Sequence, residues 1–206
     1  MSNFNMKQLV LGMLRTNCYI IYNDDKEAIV IDPGASFMQI KDMILKEGFS
    51  VKAILLTHGH FDHMGAADET RKFSGAKIYA LENEKEILES SSYNLSSMFG
   101  DAFAIKADEF LKDGQEINIV GFDIKVINTP GHTKGSCSYF FKDYGVLFSG
   151  DTLFCKSHGR VDFPTGSMRE LMDSIKNKLF VFDDNIVVFS GHGESTTIGD
   201  EKKWYR

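Results

Sequence analysis

Cysteine is scarce in this chain, and the three cysteines show no pairing pattern. Cys18, Cys137 and Cys155 lie far apart, are odd in number and form no Cys-x-x-Cys motif. A disulfide framework and a thiolate zinc site are therefore not indicated, and the pattern is typical of a reducing compartment. On this basis we expect a cytoplasmic location.

Long apolar runs and an excess of positive charge are also absent. The apolar segment at residues 9–14 is interrupted by Gly12 and followed by Arg15, so it predicts neither a signal peptide nor a membrane span. A formal net charge of -6 gives no general attraction to phosphate backbones. We therefore expect neither a membrane nor a nucleic acid as a partner, and the oligomeric state stays open.

The length of 206 residues is sufficient for one large core, and we expect a single domain over residues 1–206. Strands and helices alternate in each half of the chain after an opening meander, whose strands are predicted at residues 7–14, 17–22 and 27–31. This order favours an α/β fold in which two sheets pack face to face with helices outside.

Local signals refine this pattern. Ser36 with Gln39, and Ser167 with Glu170, form capping-box patterns that predict two helix starts. Residues 82–89 are rich in charge and predict an exposed helix. A weak pattern from residue 90 to residue 107 predicts a loop.

Four potential metal ligands follow one apolar strand within six positions. The strand at residues 51–56 is followed by His58, His60, Asp62 and His63. In an extended segment His58 and His60 point to the same side, whereas the adjacent Asp62 and His63 project in another direction. This spacing suits two metal ions better than one.

The same arrangement recurs later in the chain. Apolar strands also end in Gly-containing turns at Gly131-His132-Thr133, at Gly150-Asp151 and at Gly191-His192-Gly193, so that five of the six histidines lie in such turns. Ligands at strand ends place the site along one edge of the sandwich. If one ion is held by His58, His60 and His132 and the other by Asp62, His63 and His192, then Asp151 is the natural bridge, because a carboxylate has two oxygens.

Imidazole and carboxylate ligands without cysteine suit zinc, and they also accept iron or manganese. Two ions about 3.5 to 4 Å apart can hold a hydroxide between them, since coordination lowers the pKa of water from about 15.7 to about 7. Asp62 is placed to orient that water. The sequence thus predicts a metal-dependent hydrolase with two divalent ions, of which zinc is the expected identity.

The combination of these motifs resembles the five metal motifs of the metallo-β-lactamase superfamily, and the resemblance extends over residues 17–199. It implies a four-layer αββα sandwich. It also implies catalytic roles for Asp62 and Asp151 and the following metal ligands: His58, His60, Asp62, His63, His132, Asp151 and His192.

Within the superfamily, Asp32-Pro33-Gly34 and Asp151-Thr152-Leu153-Phe154 are similar to motifs of the glyoxalase II group, which hydrolyses thioesters of glutathione. The resemblance implies a small-molecule thioester substrate. The stretch at residues 159–164 resembles a short bacterial branch of that group, in which Arg160 would attract an anionic thiol-derived substrate. We expect no additional helical domain of the kind that binds glutathione in larger members, so the carrier thiol stays open.

Other functions remain compatible with these motifs. The stretch around Arg160 also resembles persulfide dioxygenases, in which a single iron would be held by His58, His132 and Asp151. An RNA-processing nuclease shares the first motif, although the acidic composition counts against it. A non-catalytic metal sensor would require a site that holds metal without substrate turnover.

Overall fold

The computed structural model of this protein describes residues 3–205 and shows two mixed six-stranded sheets. The first sheet contains, in spatial order, β1 (Asn5–Leu11), β2 (Thr16–Tyr22), β3 (Glu27–Ile31), β4 (Ser50–Leu55), β5 (Lys77–Leu81) and β6 (Glu109–Leu111). The second contains β7 (Glu116–Ile119), β8 (Phe122–Asn128), β9 (Cys137–Phe141), β10 (Val146–Gly150), β11 (Val187–Ser190) and β12 (Thr196–Thr197). Neighbouring strands are consecutive in the chain throughout both sheets.

The helices are short and lie between or after the strands. They are α1 (Phe37–Glu47), α2 (Phe61–Met64), α3 (Ala67–Ser74), α4 (Lys85–Leu88), α5 (Ser96–Phe99), α6 (Met168–Asp173) and α7 (Ile198–Trp204). Two 3₁₀ turns at Glu82–Glu84 and Lys142–Tyr144 and a π-helical segment at Ser174–Leu179 complete the set. Among residues 3–205, no helix has the length and apolar character needed to cross a membrane.

The main core lies between the two sheets. Side chains of the first sheet, such as Tyr19 and Ile29, pack there against Phe122 and Phe148 of the second sheet, and all four are buried. The sheets' outer faces are covered by helices, with Ile40 of α1 packed on the first sheet. Leu171 of α6 and Ile175 of the π-helical segment pack on the second. The predicted α/β fold with a four-layer αββα sandwich is therefore confirmed.

Strand direction explains why the predicted ligands meet at one edge. β8 and β10 each pair antiparallel with β9, and β10 pairs parallel with β11, so β8, β10 and β11 all end at the same edge. β3 and β4 are parallel in the first sheet. The two sheets are joined beside this edge by hydrogen bonds from Cys137 N to Thr57 O at 2.9 Å and from Asn17 N to Gly191 O at 2.7 Å.

Some local predictions differ from the structure. Ser36 has a left-handed backbone and its side chain makes no capping hydrogen bond, so that predicted capping box is wrong. Residues 82–89 divide into the 3₁₀ turn and α4, and Glu84 is fully buried, so the predicted exposed helix is wrong at this residue. The predicted loop at 90–107 includes the short helix α5.

The capping box at Ser167 is present, because its side chain accepts a hydrogen bond from Glu170 N. We expect Ser167→Ala to lower the free energy of unfolding by about 1 kcal/mol, since the variant leaves a helix N–H without its acceptor. Ser36→Ala is the matched control, and its effect should be smaller. Urea denaturation of both variants measures the difference, and equal effects would contradict the capping role.

Candidate metal centre

All seven side chains predicted as metal ligands come together where the strands end. They form three overlapping groups: His58, His60 and His132; His58, His63 and Asp151; and Asp62, His63 and His192. Within each group the ligand atoms lie within 4.8 Å of one another. Only Asp62 and His192 of the seven are partly exposed, so solvent reaches the centre from their side.

Hydrogen bonds on the outer side of the rings fix which nitrogen faces the centre. Three rings donate from Nδ1 to an oxygen: His63 to Asp32 at 2.8 Å, His132 to the Arg160 carbonyl at 2.6 Å and His192 to the Leu14 carbonyl at 3.1 Å. Their Nε2 atoms therefore carry the lone pairs that face inward when the rings are neutral. Such outer hydrogen bonds are typical of metal-binding histidines.

His58 shows the same arrangement by a different route. The Thr57 hydroxyl donates to Asp32 Oδ2 at 2.6 Å, so its oxygen accepts from His58 Nδ1 at 3.2 Å. The Nε2 atoms of His58 and His60 are buried and have no hydrogen-bond partner within the described chain. Because buried polar atoms in folded proteins are nearly always satisfied, the Nε2 atom of His58 fits a bound cation. His60 instead directs Nδ1 toward the centre, where this atom lies 2.9 Å from His132 Nε2.

The spacing of the ligand atoms also fits metal ions. His63 Nε2 lies 3.3 Å from Asp151 Oδ1, 3.4 Å from His192 Nε2 and 3.6 Å from Asp62 Oδ2. Atoms bound tetrahedrally at about 2.0 to 2.2 Å from one ion lie roughly 3.3 to 3.6 Å apart. The observed separations therefore leave room for an ion among these four groups.

Asp151 lies between the two outer groups of histidines. Its Oδ2 atom is 3.6 Å from His132 Nε2 and 3.5 Å from His192 Nε2, while its Oδ1 atom faces His63. This placement is the one that a bridging carboxylate requires. Its role as a ligand stays a prediction.

Burial favours the neutral form of three of the histidines in the centre. Burial lowers the pKa of His58 well below its ordinary value and lowers that of His132, and burial with nearby His132 lowers the pKa of His60 to about 3. These three rings are therefore neutral at physiological pH. Neutral imidazole is the form that coordinates metal ions.

The carboxylates remain charged despite their burial. Burial acts to raise the pKa of Asp151, but the nearby His63, His132 and His192 outweigh it and hold that pKa below its usual range. His63 in turn is affected first by burial, which lowers its pKa, and then by Asp151 and Asp62, which raise it well above the ordinary value. The carboxylates around His63 thus favour a positive charge at this place, as a metal ion would supply.

Asp32 supports the centre without belonging to the predicted ligand set. Its Oδ1 accepts from Thr57 N at 2.8 Å, and its Oδ2 accepts from both Thr57 Oγ1 and His63 Nδ1. The carboxylate therefore joins the end of β4 to the His63 ring. In the sequence, the Asp32-Pro33-Gly34 turn at the end of β3 was the signal that could have indicated this supporting role of Asp32.

Two glycines are required by close approach at the centre. A Cβ atom on Gly191 would lie 2.2 Å from Asp151 Oδ1, and one on Gly34 would lie 1.6 Å from the Asp62 carbonyl oxygen. Any larger residue at either position would displace a predicted ligand.

Glu84 is a second supporting carboxylate, and the sequence analysis missed it. It accepts hydrogen bonds from Gly59 N at 2.7 Å and from Thr133 Oγ1 at 2.9 Å. Burial raises the pKa of Glu84 to about 7, against hydrogen bonds from Gly59, Thr133 and Gly135 that favour its charged form. One buried side chain thus joins the loop of His58 and His60 to the loop of His132.

Arg160 lies at the rim of the centre. Its guanidinium group binds both oxygens of Asp162, at 2.7 and 2.6 Å, and lies 4.0 Å from the ring centroid of Phe163. Its carbonyl oxygen holds the His132 ring, whereas its side chain is exposed. The predicted substrate-binding role of Arg160 stays a prediction.

We expect Glu84→Gln to weaken the metal centre, because an amide has a single acceptor oxygen and cannot serve both loops. The lost acceptor should lower the free energy of unfolding of the metal-free protein by about 1 to 3 kcal/mol. The affinity for one zinc equivalent should fall as well, measured by competition with a chromogenic chelator. Glu82→Gln, at an exposed position of the same turn, is the control and should match the wild type.

Comparisons with known proteins identify the family. The model of the metallo-beta-lactamase superfamily matches residues 11–192. Hydroxyacylglutathione hydrolase GloC of Haemophilus influenzae is 34% identical over 203 residues, which cover 97% of this chain and 95% of that protein.

Solved structures agree with this assignment. The crystal structure of BLEG-1 B3 metallo-beta-lactamase is similar, with a TM-score of 0.93 and 40% identity over 97% of both chains. The structure of TTHA1623 in a di-iron-bound form has a TM-score of 0.85 and 28% identity over 96% of this chain and 97% of that one. The resemblance stated from the sequence is confirmed, and this chain belongs to the metallo-beta-lactamase superfamily.

Proposed function

We propose that this protein is a metal-dependent hydrolase that cleaves thioesters of small thiols. The observation that carries the proposal is the convergence of five histidines and two aspartates into adjacent ligand groups at one sheet edge. The near end-to-end similarity to the hydroxyacylglutathione hydrolase of Haemophilus influenzae supports a thioester as the substrate.

Two divalent ions fit the residues present, and we propose zinc, with iron or manganese as acceptable substitutes. His58, His60 and His132 would hold one ion, and Asp62, His63 and His192 the other, with Asp151 between them. When bound, such ions supply Lewis acidity and make water acidic enough to act as a nucleophile near neutral pH. The ligand groups consist of imidazole and carboxylate, which suit zinc, iron and manganese.

The chain's own residues orient the reacting groups. Asp62 accepts a hydrogen bond from Thr16 Oγ1 at 2.8 Å through Oδ2, which fixes the carboxylate beside His192. In the proposed reaction Asp62 orients the attacking water. The water oxygen bonds to the acyl carbon, the carbon–sulfur bond breaks, and the thiol leaves with one proton while the acid keeps the new oxygen.

The first test measures metal content and thiol release together. We expect about two metal ions per chain, and release of free thiol from S-lactoylglutathione that is lost on chelation and restored by zinc. Asp151→Asn should abolish turnover. His158→Gln is the control, because His158 bonds to Tyr205 outside the ligand groups, and it should keep both ions. An absence of thiol release from the metal-loaded protein would remove the proposal.

A specific role for Arg160 gives a second test. An anionic carrier thiol would take the place of Asp162 on the guanidinium group, so Arg160→Gln should raise KM for S-lactoylglutathione while kcat changes less. Arg169→Gln, also at an exposed position, should leave both constants unchanged. Equal effects of the two variants would exclude a direct contact between Arg160 and the substrate.

Hydrolysis of β-lactams is a second candidate, favoured by the 40% identity to BLEG-1 B3 metallo-beta-lactamase. A chromogenic cephalosporin assayed beside the thioester decides between the two by the ratio of kcat/KM values. An iron form that consumes oxygen with glutathione persulfide, and releases no thiol from the thioester, would instead support the dioxygenase alternative.

A further inference from the structure

An apolar pocket of about 280 Å³ opens directly beside the metal centre. It lies between the turn that joins β1 to β2 and the region of α2 and α5, and Asp62 is the one charged residue in its lining. We call it the hairpin pocket. Its main apolar side chains are those of Leu11, Met13, Leu14, Ala35, Phe61 and Phe99.

The pocket exposes apolar surface that the fold does not need for its core. Met13 is 92% exposed and Phe99 is 49% exposed, whereas Phe61 and Phe99 stack with ring centroids 5.0 Å apart. Contiguous exposed apolar surface of this kind marks binding sites in soluble proteins. Its position at the solvent-accessible side of the metal centre points to a part of the substrate as the occupant.

The wall of the pocket is fixed to the centre on one side. The Leu14 carbonyl accepts the hydrogen bond from His192 Nδ1, and Thr16 Oγ1 donates to Asp62 Oδ2. A group in the pocket is therefore held at a defined place relative to two predicted ligands. This is the requirement for a pocket that positions a reacting carbonyl.

The opposite side of the centre has a different chemistry. Phe163 lies edge-on to His60 with ring centroids 6.0 Å apart, and the Arg160 guanidinium group stacks on Phe163. A molecule that spans the centre thus meets a cation beside His60 and His132 and apolar side chains beside Asp62. The cationic end therefore suits an anionic thiol, and the apolar end suits the acyl group of a thioester.

We infer that the hairpin pocket binds the acyl group of the substrate, while the anionic carrier thiol extends toward Arg160. This inference rests on the proposed thioesterase function. It assigns a substrate class, namely thioesters of an anionic thiol whose acyl group is apolar. A longer chain covers more of Met13 and Phe99, so affinity increases with chain length.

The experiment uses S-methyl-, S-butyl- and S-hexylglutathione, thioethers that bind without being hydrolysed. Calorimetry on the metal-loaded protein should show Kd falling about two- to fourfold for each added methylene, as expected for apolar burial. Met13→Ser and Phe99→Ser should each reduce this dependence on chain length. Met38→Ser, at a 60% exposed methionine of α1, is the matched control and should preserve it.

The outcomes separate the pocket from the proposed function when hydrolysis of S-lactoylglutathione and of S-hexanoylglutathione is measured on the same samples. Hydrolysis together with equal Kd values for the methyl and hexyl compounds would overturn the inference. A chain-length dependence that survives in both pocket variants would overturn it as well. A dependence lost in those variants, without thioester hydrolysis, would support the pocket and remove the thioesterase proposal.

Discussion

Seven ionisable side chains share one small volume at the edge of the sandwich, and the rest of the site depends on how the fold holds them there. Burial opposes charge on the imidazole rings, whereas the carboxylates among them favour it. The structure resolves this conflict by bonding the outer nitrogens of the rings to fixed oxygens. The inner atoms of His58, His63 and their neighbours are then left facing one another, an arrangement that a cation stabilises.

The parts that hold these rings come from distant segments of the chain. Asp32 joins the ends of β3 and β4, and Glu84 joins the loop of His58 and His60 to the loop of His132. A buried carboxylate that accepts several hydrogen bonds has few alternative positions, and leaving one of its donors unpaired is costly. Support of this kind contributes to the shape of the centre.

The sequence was sufficient for the fold and for the side chains that converge, because both depend on short periodic patterns. An apolar strand that ends in a Gly-containing turn was visible at His58, His132 and His192, and parallel strands place such ends together. The role of Glu84 was hidden because its neighbours are charged. Only its spacing of three and four residues from the apolar Ile87 and Leu88, which are also buried, indicated that it faces inward. The hairpin pocket depends on tertiary contacts between residues far apart in sequence, which no local pattern encodes.

The hydrogen bond from His192 to the Leu14 carbonyl has a thermodynamic consequence. Because the tip of the first hairpin carries that carbonyl, an occupant that shifts the tip also shifts the hydrogen-bond acceptor of the His192 ring. Loading of the ion beside Asp62 and occupancy of the neighbouring cleft are therefore linked equilibria, and each must change the other by the same factor. A metal titration repeated at saturating S-hexylglutathione would reveal the size of that reciprocal effect.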